Sequence, residues 1–320
     1  MKELSKESAT FLEVGEEGAG QRIDNYLLKT LKGVPKSHVY RILRSGEVRV
    51  NKGRVSAERR LAIGDRVRVP PIRVAEPQYQ QPVPPRDFSV VFEDEAMIVI
   101  DKPAGVAVHG GSGVDFGVIE QIRRARPQAR FLELAHRLDR ETSGLLIIGK
   151  KRSALTRLHD LFREGGIDKR YLALVKGAWR DKLRNVKLPL LKYLTPEGER
   201  RVRVSAEGKE AHSVMRLKGS WKSLLGEFSL LEVELRTGRT HQIRVHLAHL
   251  GFPILGDEKY GDFALNRDLQ KAGLRRMFLH ATSMRIPHPL SGERLSLAAP
   301  LPEDLASYLE KIGKDDGATL

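Results

Sequence analysis

The sequence contains no cysteine in 320 residues, which excludes disulfides, thiolate nucleophiles and cysteine-ligated zinc, leaving His, Asp and Glu as possible metal ligands. It also has no apolar run approaching the roughly 18 residues of a spanning helix. Its opening stretch, MKELSKESATFLEVGEEGAG, lacks the apolar block of a secretory signal. These absences set the expectation of a cytoplasmic protein with no membrane partner. Acidic residues are in deficit, 41 against 56 Lys and Arg, giving a formal charge of +15 and a pI near 10. Such a balance points to a polyanionic partner, with nucleic acid ahead of anionic membrane. The length favours two folded units, and 40% hydrophobic content is enough for a sizeable core.

The positive charge is concentrated. Residues 20–75 hold fourteen Lys or Arg against Asp24, Glu47, Glu58 and Asp65, so this short stretch supplies ten of the fifteen net charges. Ile23, Tyr26, Leu27 and Leu31 recur at helical spacing, Gly33-Val34-Pro35 breaks the pattern, and a second helix is expected near Ser37 to Ser45. Val48 to Val50 before Asn51-Lys52-Gly53-Arg54, and the alternating Val67-Arg68-Val69, predict short strands with arginines on the wet face. A charge run is most often only a solvated face. Here RIDNYLLKTLKGVPKSHVYRILRSGEVRVNKGRV and AIGDRVRVP resemble the S4 RNA-binding domain over roughly 55 residues. The resemblance implies a small α/β module whose Arg41, Arg44, Arg49, Lys52 and Arg54 contact structured RNA.

Residues 1–19 are expected to be a flexible leader to that module. Residues 76–87, which include the Pro- and Gln-rich EPQYQQPVPPR, form an expected semi-rigid linker. From residue 88 to 312, strand-like runs at Ser89 to Phe92, Met97 to Ile100, Leu145 to Ile148 and Tyr171 to Val175 alternate with turns and a few helices, which predicts one α+β domain. Helices are expected near Phe116 to Arg124, Ser153 to Arg163 (with Ser153 as N-cap and Gly165-Gly166 at its end), Thr240 to Leu250 and Pro302 to Ile312. The polar residues 313–320 are expected to fray.

Asp139 lies between Arg137 and Arg140, a carboxylate among cations suited to act as nucleophile or electrostatic stabiliser. By itself such a pair is more often a structural ion pair. Its placement favours function, because Gly144 permits a tight turn into the apolar Leu145 to Ile148 and sites often sit at strand ends. His241, His246 and His249 could suggest a metal site, but no HExxH pattern is present. Gly110 to Gly113 imitates a phosphate loop without its Gly-Lys-Ser/Thr ending, so no nucleotide cofactor is expected and a flexible loop beside RNA fits better. Read for periodicity alone, Thr240 to Leu250 is an amphipathic helix with Ile243 and Leu247 inward and its histidines solvated.

The stretch HRLDRETSGLLI is similar to the core motif of the large-subunit ribosomal RNA pseudouridine synthase family. The likeness continues in DKPAGV with VHGG, in DKRYLA, and in RTGRTHQIRVH, four matches in order that run through nearly the whole chain from Phe88. It implies an α+β catalytic fold with a mainly antiparallel bent central sheet. It implies isomerisation of uridines in large-subunit ribosomal RNA at several sites, without cofactor or metal; a monomer is expected, though nothing in the sequence marks the oligomeric state. The essential carboxylate would be Asp139, Arg137 would fill the space left by a flipped base or hold the backbone, and Tyr171 would stack on the uracil and take part in proton transfer. Arg244 would hold Asp139 by a salt bridge, Ile243 would pack under the base, and His109, Arg140 and Arg239 would contact RNA. Two other readings compete. One is a non-catalytic RNA-binding or ribosome-assembly protein. The other is a carboxylate hydrolase, for which Glu141 is the nearby second acid.

Overall fold

The computed structural model describes residues 8–31, 33–72, 83–110 and 116–317, with side chains to 314. The chain divides into two compact units, Met1–Pro82 and Val83–Leu320. Among the described residues, no helix is long and apolar enough to cross a membrane.

The first unit contains β1 (Thr10–Glu13), α1 (Ile23–Thr30), α2 (Lys36–Arg44), β2 (Arg49–Val50), β3 (Gly53–Arg54) and β4 (Arg66–Val69). Its strands form one antiparallel sheet in the order β1-β4-β2-β3. Ile23 and Leu27 of α1 meet Val39, Ile42 and Leu43 of α2 over Val50, Val67 and Val69, so the helical spacing and the strand alternation converge on one core. The sequence reading leaves residues 1–19 as a flexible leader; instead Thr10–Glu13 pairs with β4 and Val14 is buried behind it. The pairing satisfies backbone groups that the outer edge of β4 would otherwise expose. Residues 73–82, most of the expected linker, lie outside the described residues, and 83–87 have no regular structure.

The second unit begins with β5 (Val90–Glu93), β6 (Met97–Lys102), α3 (Val118–Ala125), β7 (Glu133–Leu134), β8 (Ser143–Gly149), α4 (Arg152–Glu164) and β9 (Asp168–Lys176). It continues with β10 (Leu183–Lys187), β11 (Leu190–Leu194), β12 (Arg200–Val204), β13 (His212–Ser223) and β14 (Gly226–Leu235). It closes with α5 (Gln242–His249), α6 (Phe263–Lys271), β15 (Leu279–Pro287), β16 (Arg294–Ala298) and α7 (Glu303–Gly317). The main sheet runs β10-β13-β14-β9-β15-β8-β6-β5, with β16 beside β15 and β7 beside β8. The β15 to β8 pairing is parallel and the other pairings are antiparallel. Central strands β6 and β8 are apolar on both faces because both faces are covered. Ile98, Ile100, Leu146 and Ile148 pack with α3 and α5, whereas Met97, Val99, Leu145 and Ile147 pack with Leu155, Leu158 and Leu161 of α4.

Several boundaries differ from the sequence reading. Lys151, in extended conformation, occupies the N-cap of α4 without a side-chain cap, so Ser153 lies inside the first turn and caps nothing. The helix ends at Gly165 in the left-handed region, φ 77°. At its start, α3 is tied by the Glu120 carboxylate, which accepts from the amides of Gly117 (2.8 Å) and Gly110 (3.1 Å). The rest of the expected glycine loop, 111–115, lies outside the described residues. Helix α7 runs past Ile312 to Gly317, and residues 318–320 are outside the described set.

Candidate active site

Asp139 sits in a tight turn between β7 and β8, closed by the Thr142 amide donating to the Asp139 carbonyl at 3.1 Å. The turn is fastened from three sides. His136 accepts the Ile147 amide on Nε2 at 3.0 Å, and burial drives its pKa to about 3, so the ring is a neutral acceptor that pins the chain to β8. Lys102 is fully buried beneath the turn. Its Nζ donates to the carbonyls of Pro103, Val106 and Arg140 at 2.8, 2.9 and 3.1 Å, and burial lowers its pKa to about 7. Gly144 has φ 108°, and a Cβ there would collide with the backbone of Ala281 in the neighbouring parallel strand β15.

The turn opens on a cavity of about 490 Å³. Among the described residues, Asp139 is the one acidic residue on its wall, against the cations Arg137, Arg163, Lys169, Arg236, Arg239 and Arg244. Helix α5 supplies the partner: Arg244 Nη1 donates to Asp139 Oδ2 at 3.1 Å across 105 residues of sequence. Arg244 is itself clamped, Nε and Nη2 each donating at 2.8 Å to Asp257. Burial works against the guanidinium charge, but Asp257 and then Asp139 outweigh it and hold its pKa above the usual value. Burial likewise opposes the Asp257 carboxylate, and the Arg244 bonds win, so its pKa is lowered. Oδ1 of Asp139 has no hydrogen-bond partner among the described residues, so one oxygen is fixed and the other is available.

Tyr171 on β9 and Ile243 on α5 are buried in the same wall. Burial, then the nearby Asp139 carboxylate, pushes the Tyr171 phenol above its ordinary range, so it stays protonated at neutral pH. Arg137 is exposed on the wall, with no ion pair among the described residues. Arg239 is exposed there too, its Nε donating to the Glu210 carbonyl at 2.9 Å.

Residues 96–249 match the model of the RNA pseudouridylate synthase family, and residues 21–67 match the S4 domain. The chain is similar to the ribosomal large subunit pseudouridine synthase C of Pasteurella multocida, 50% identical over 95% of this chain and 94% of that protein. It is similar to the protein of that name from Escherichia coli K12, 48% identical over 95% and 97%. The chain belongs to the RNA pseudouridylate synthase family. Among solved structures, human RNA pseudouridylate synthase domain containing 4 aligns over 70% of this chain and 93% of its own, at 25% identity and TM-score 0.57.

The synthase therefore brings Asp139, Arg137, Tyr171, Ile243, Arg244 and Arg239 to one cavity. Its wall does not include His109 or Arg140. Arg140 turns away, donating from Nε to the Gly105 carbonyl at 3.0 Å and pairing with Glu141 at 3.4 Å. Glu141, the second acid a hydrolase would need, is thus engaged outside the cavity. Arg41 and Arg44 on α2, and Arg49, Lys52 and Arg54 in the hairpin, are exposed on the first unit, as expected of cations on a wet face.

Helix α5 corrects the amphipathic reading. It begins at Gln242 because His241 takes a left-handed conformation, φ 53° and ψ 22°, and residues 242–247 are all buried. His246 is enclosed, its Nε2 donating to the Leu188 carbonyl at 2.9 Å and its Nδ1 lying 3.0 Å from Ser213 Oγ. Sequence reasoning missed Asp257, Lys169, Lys102 and the site position of His241. Asp257 stands in ILGDEKYGD, where neither periodicity nor charge marks it; only the contact with Arg244 does.

Proposed function

We propose that this enzyme isomerises several specific uridines of large-subunit ribosomal RNA to pseudouridine, with Asp139 as nucleophile on a flipped nucleotide and without a cofactor. The observation that carries the reading is a single carboxylate, one oxygen bonded and the other available, in a cavity lined, among the described residues, by six cations. A polyanionic strand is drawn to such a wall, and the chemistry needs one nucleophile with no second acid. The reaction breaks the bond from uracil N1 to the ribose and rejoins the base through C5, with no net water, redox change or group donor.

The surrounding groups support this division of labour. Tyr171 offers an aromatic face and a protonated hydroxyl to the base, and Ile243 an apolar floor. Arg137, free on the wall, would fill the vacated stack or hold the backbone. Residues 20–75 would add phosphate contacts, making binding salt-sensitive, and the whole would work as a cytoplasmic monomer. The relatives are named for the large ribosomal subunit, which supports the choice of RNA.

The test is to incubate purified protein with unmodified large-subunit transcript and map pseudouridine chemically. Wild type should introduce it, and Asp139→Asn should lower the rate by about 10⁴-fold or more. A transcript still free of pseudouridine in every competent assembly state would sink the proposal.

A further inference from the structure

His241 is one of three non-glycine residues with positive φ among those described, and the conformation turns its ring between two groups. Nδ1 lies 2.8 Å from Tyr260 Oη, and Nε2 lies 3.8 Å from Asp139 Oδ2. The tyrosine ring meets the imidazole edge-on, with centroids 5.4 Å apart.

Hydrogen-bond accounting bears on where the imidazole proton is. Tyr260 Oη accepts the Val202 amide at 3.0 Å, so the phenol still has its own proton to donate. Among the described residues the acceptor within reach is His241 Nδ1. A neutral imidazole carries one N–H, so an Nδ1 that accepts forces that proton onto Nε2. Burial supports both states at neutral pH, lowering the His241 pKa to about 4 and raising that of Tyr260 to about 12. The charged groups around the ring are Asp139 from the β7 to β8 turn, Arg244 on α5, and Asp257 and Lys259 from the segment that carries Tyr260.

We propose that Tyr260 is a positioning residue that locks His241 in the Nε2–H tautomer, making it a fixed hydrogen-bond donor beside Asp139 and not a base. The opposite tautomer would aim a lone pair at the carboxylate. At 3.8 Å the N–H is too far to be consumed by Oδ2. It stays available to an oxygen of a bound nucleotide while adding, with Arg244, to the positive side of Oδ2. Oδ1 is thereby left for the chemistry. This assignment rests on Asp139 being the reacting carboxylate.

Nitrogen-15 spectra of histidine-labelled full-length protein read the tautomer directly, with His241→Gln identifying the His241 signals. Wild type at neutral pH should show an unprotonated Nδ1 and a protonated Nε2. Tyr260→Phe should mix the tautomers and lower kcat for pseudouridine formation roughly tenfold, the scale of one hydrogen bond, with a smaller change in KM. Glutamine places an N–H near the Nε2 position and has no tautomers, so in the His241→Gln background Tyr260→Phe should cost nothing further. A wild-type proton on Nδ1, a spectrum indifferent to Tyr260→Phe, or an equal loss in both backgrounds would overturn the proposal. Full activity in Asp139→Asn would instead overturn the catalytic reading, while the spectrum would still decide the tautomer.

Discussion

The two units use arginine in opposite ways. In the first, Arg41, Arg44, Arg49 and Arg54 are exposed on α2 and the β2 to β3 hairpin. Exposed cations on long side chains can follow a phosphate backbone of variable shape, and each is worth little alone. In the second unit Arg244 is 7% exposed and bonded to two carboxylates, its fork immobile between Asp257 and Asp139. A buried charge of that kind is expensive unless every partner is present, so it supplies geometry more than attraction. The contrast is between charge offered to solvent, by those arginines and by Arg137 and Arg239 on the cavity wall, and charge spent on holding one carboxylate.

Substituting Arg244 should break that contrast most severely. Arg244→Met leaves Asp257 buried and unpaired, and should destabilise the second unit by about 3–5 kcal/mol. Its kcat should fall roughly 100-fold or more because Asp139 loses its fixed partner. Thermal melting and single-turnover kinetics measure the two effects separately. A stable, active variant would mean that the clamp orients nothing.

Acid should divide the units next. His136 and His241 have folded-state pKa values of about 3 and 4, below the ordinary 6.5. Between pH 6.5 and about 4 the unfolded chain binds more protons than the folded one. Stability from this source is therefore complete above pH 6.5 and declines as pH falls, by about 2 kcal/mol for each histidine and so about 4 kcal/mol at pH 5. Both histidines belong to the second unit. Melting followed separately for each unit across the range should show the second losing more.

Deleting residues 1–82 should weaken RNA binding about tenfold at moderate salt and flatten its salt dependence, with little change in melting of the remainder. Unchanged affinity across a salt series would mean that the cations of the first unit contribute no binding. The smallest effect should come from Arg44→Ala, with affinity down less than about threefold and the logarithmic salt slope reduced by about one.

Much of this was legible in residue order. Leu145 to Ile148 reads as a fully buried strand because four consecutive apolar residues need cover on both faces, and β8 has it from α3 and α5 on one side and α4 on the other. Arg137 and Asp139 could be singled out because their neighbours carry a motif. The N-cap of α4 and the first turn of α5 were less legible, because a cap depends on the incoming chain: Lys151 leaves β8 already extended, and His241 is left-handed with its ring against Tyr260. His249 is exposed as periodicity expects, but His246 defeated it because residues 242–247 are all enclosed, and an enclosed polar side chain is governed by its partners, which spacing does not report.

By itself the sequence determined a basic module joined to an α+β unit, and Asp139 as the carboxylate to watch, since charge density, alternation and motif order are properties of the chain. Only the tertiary structure decided what holds that carboxylate. Arg244 lies 105 residues away, and Asp257 and Tyr260 belong to a segment with no periodic or charge signal. Hydrogen bonds fix position through distances of about 3 Å between groups remote in sequence, and such distances exist only once the chain has folded.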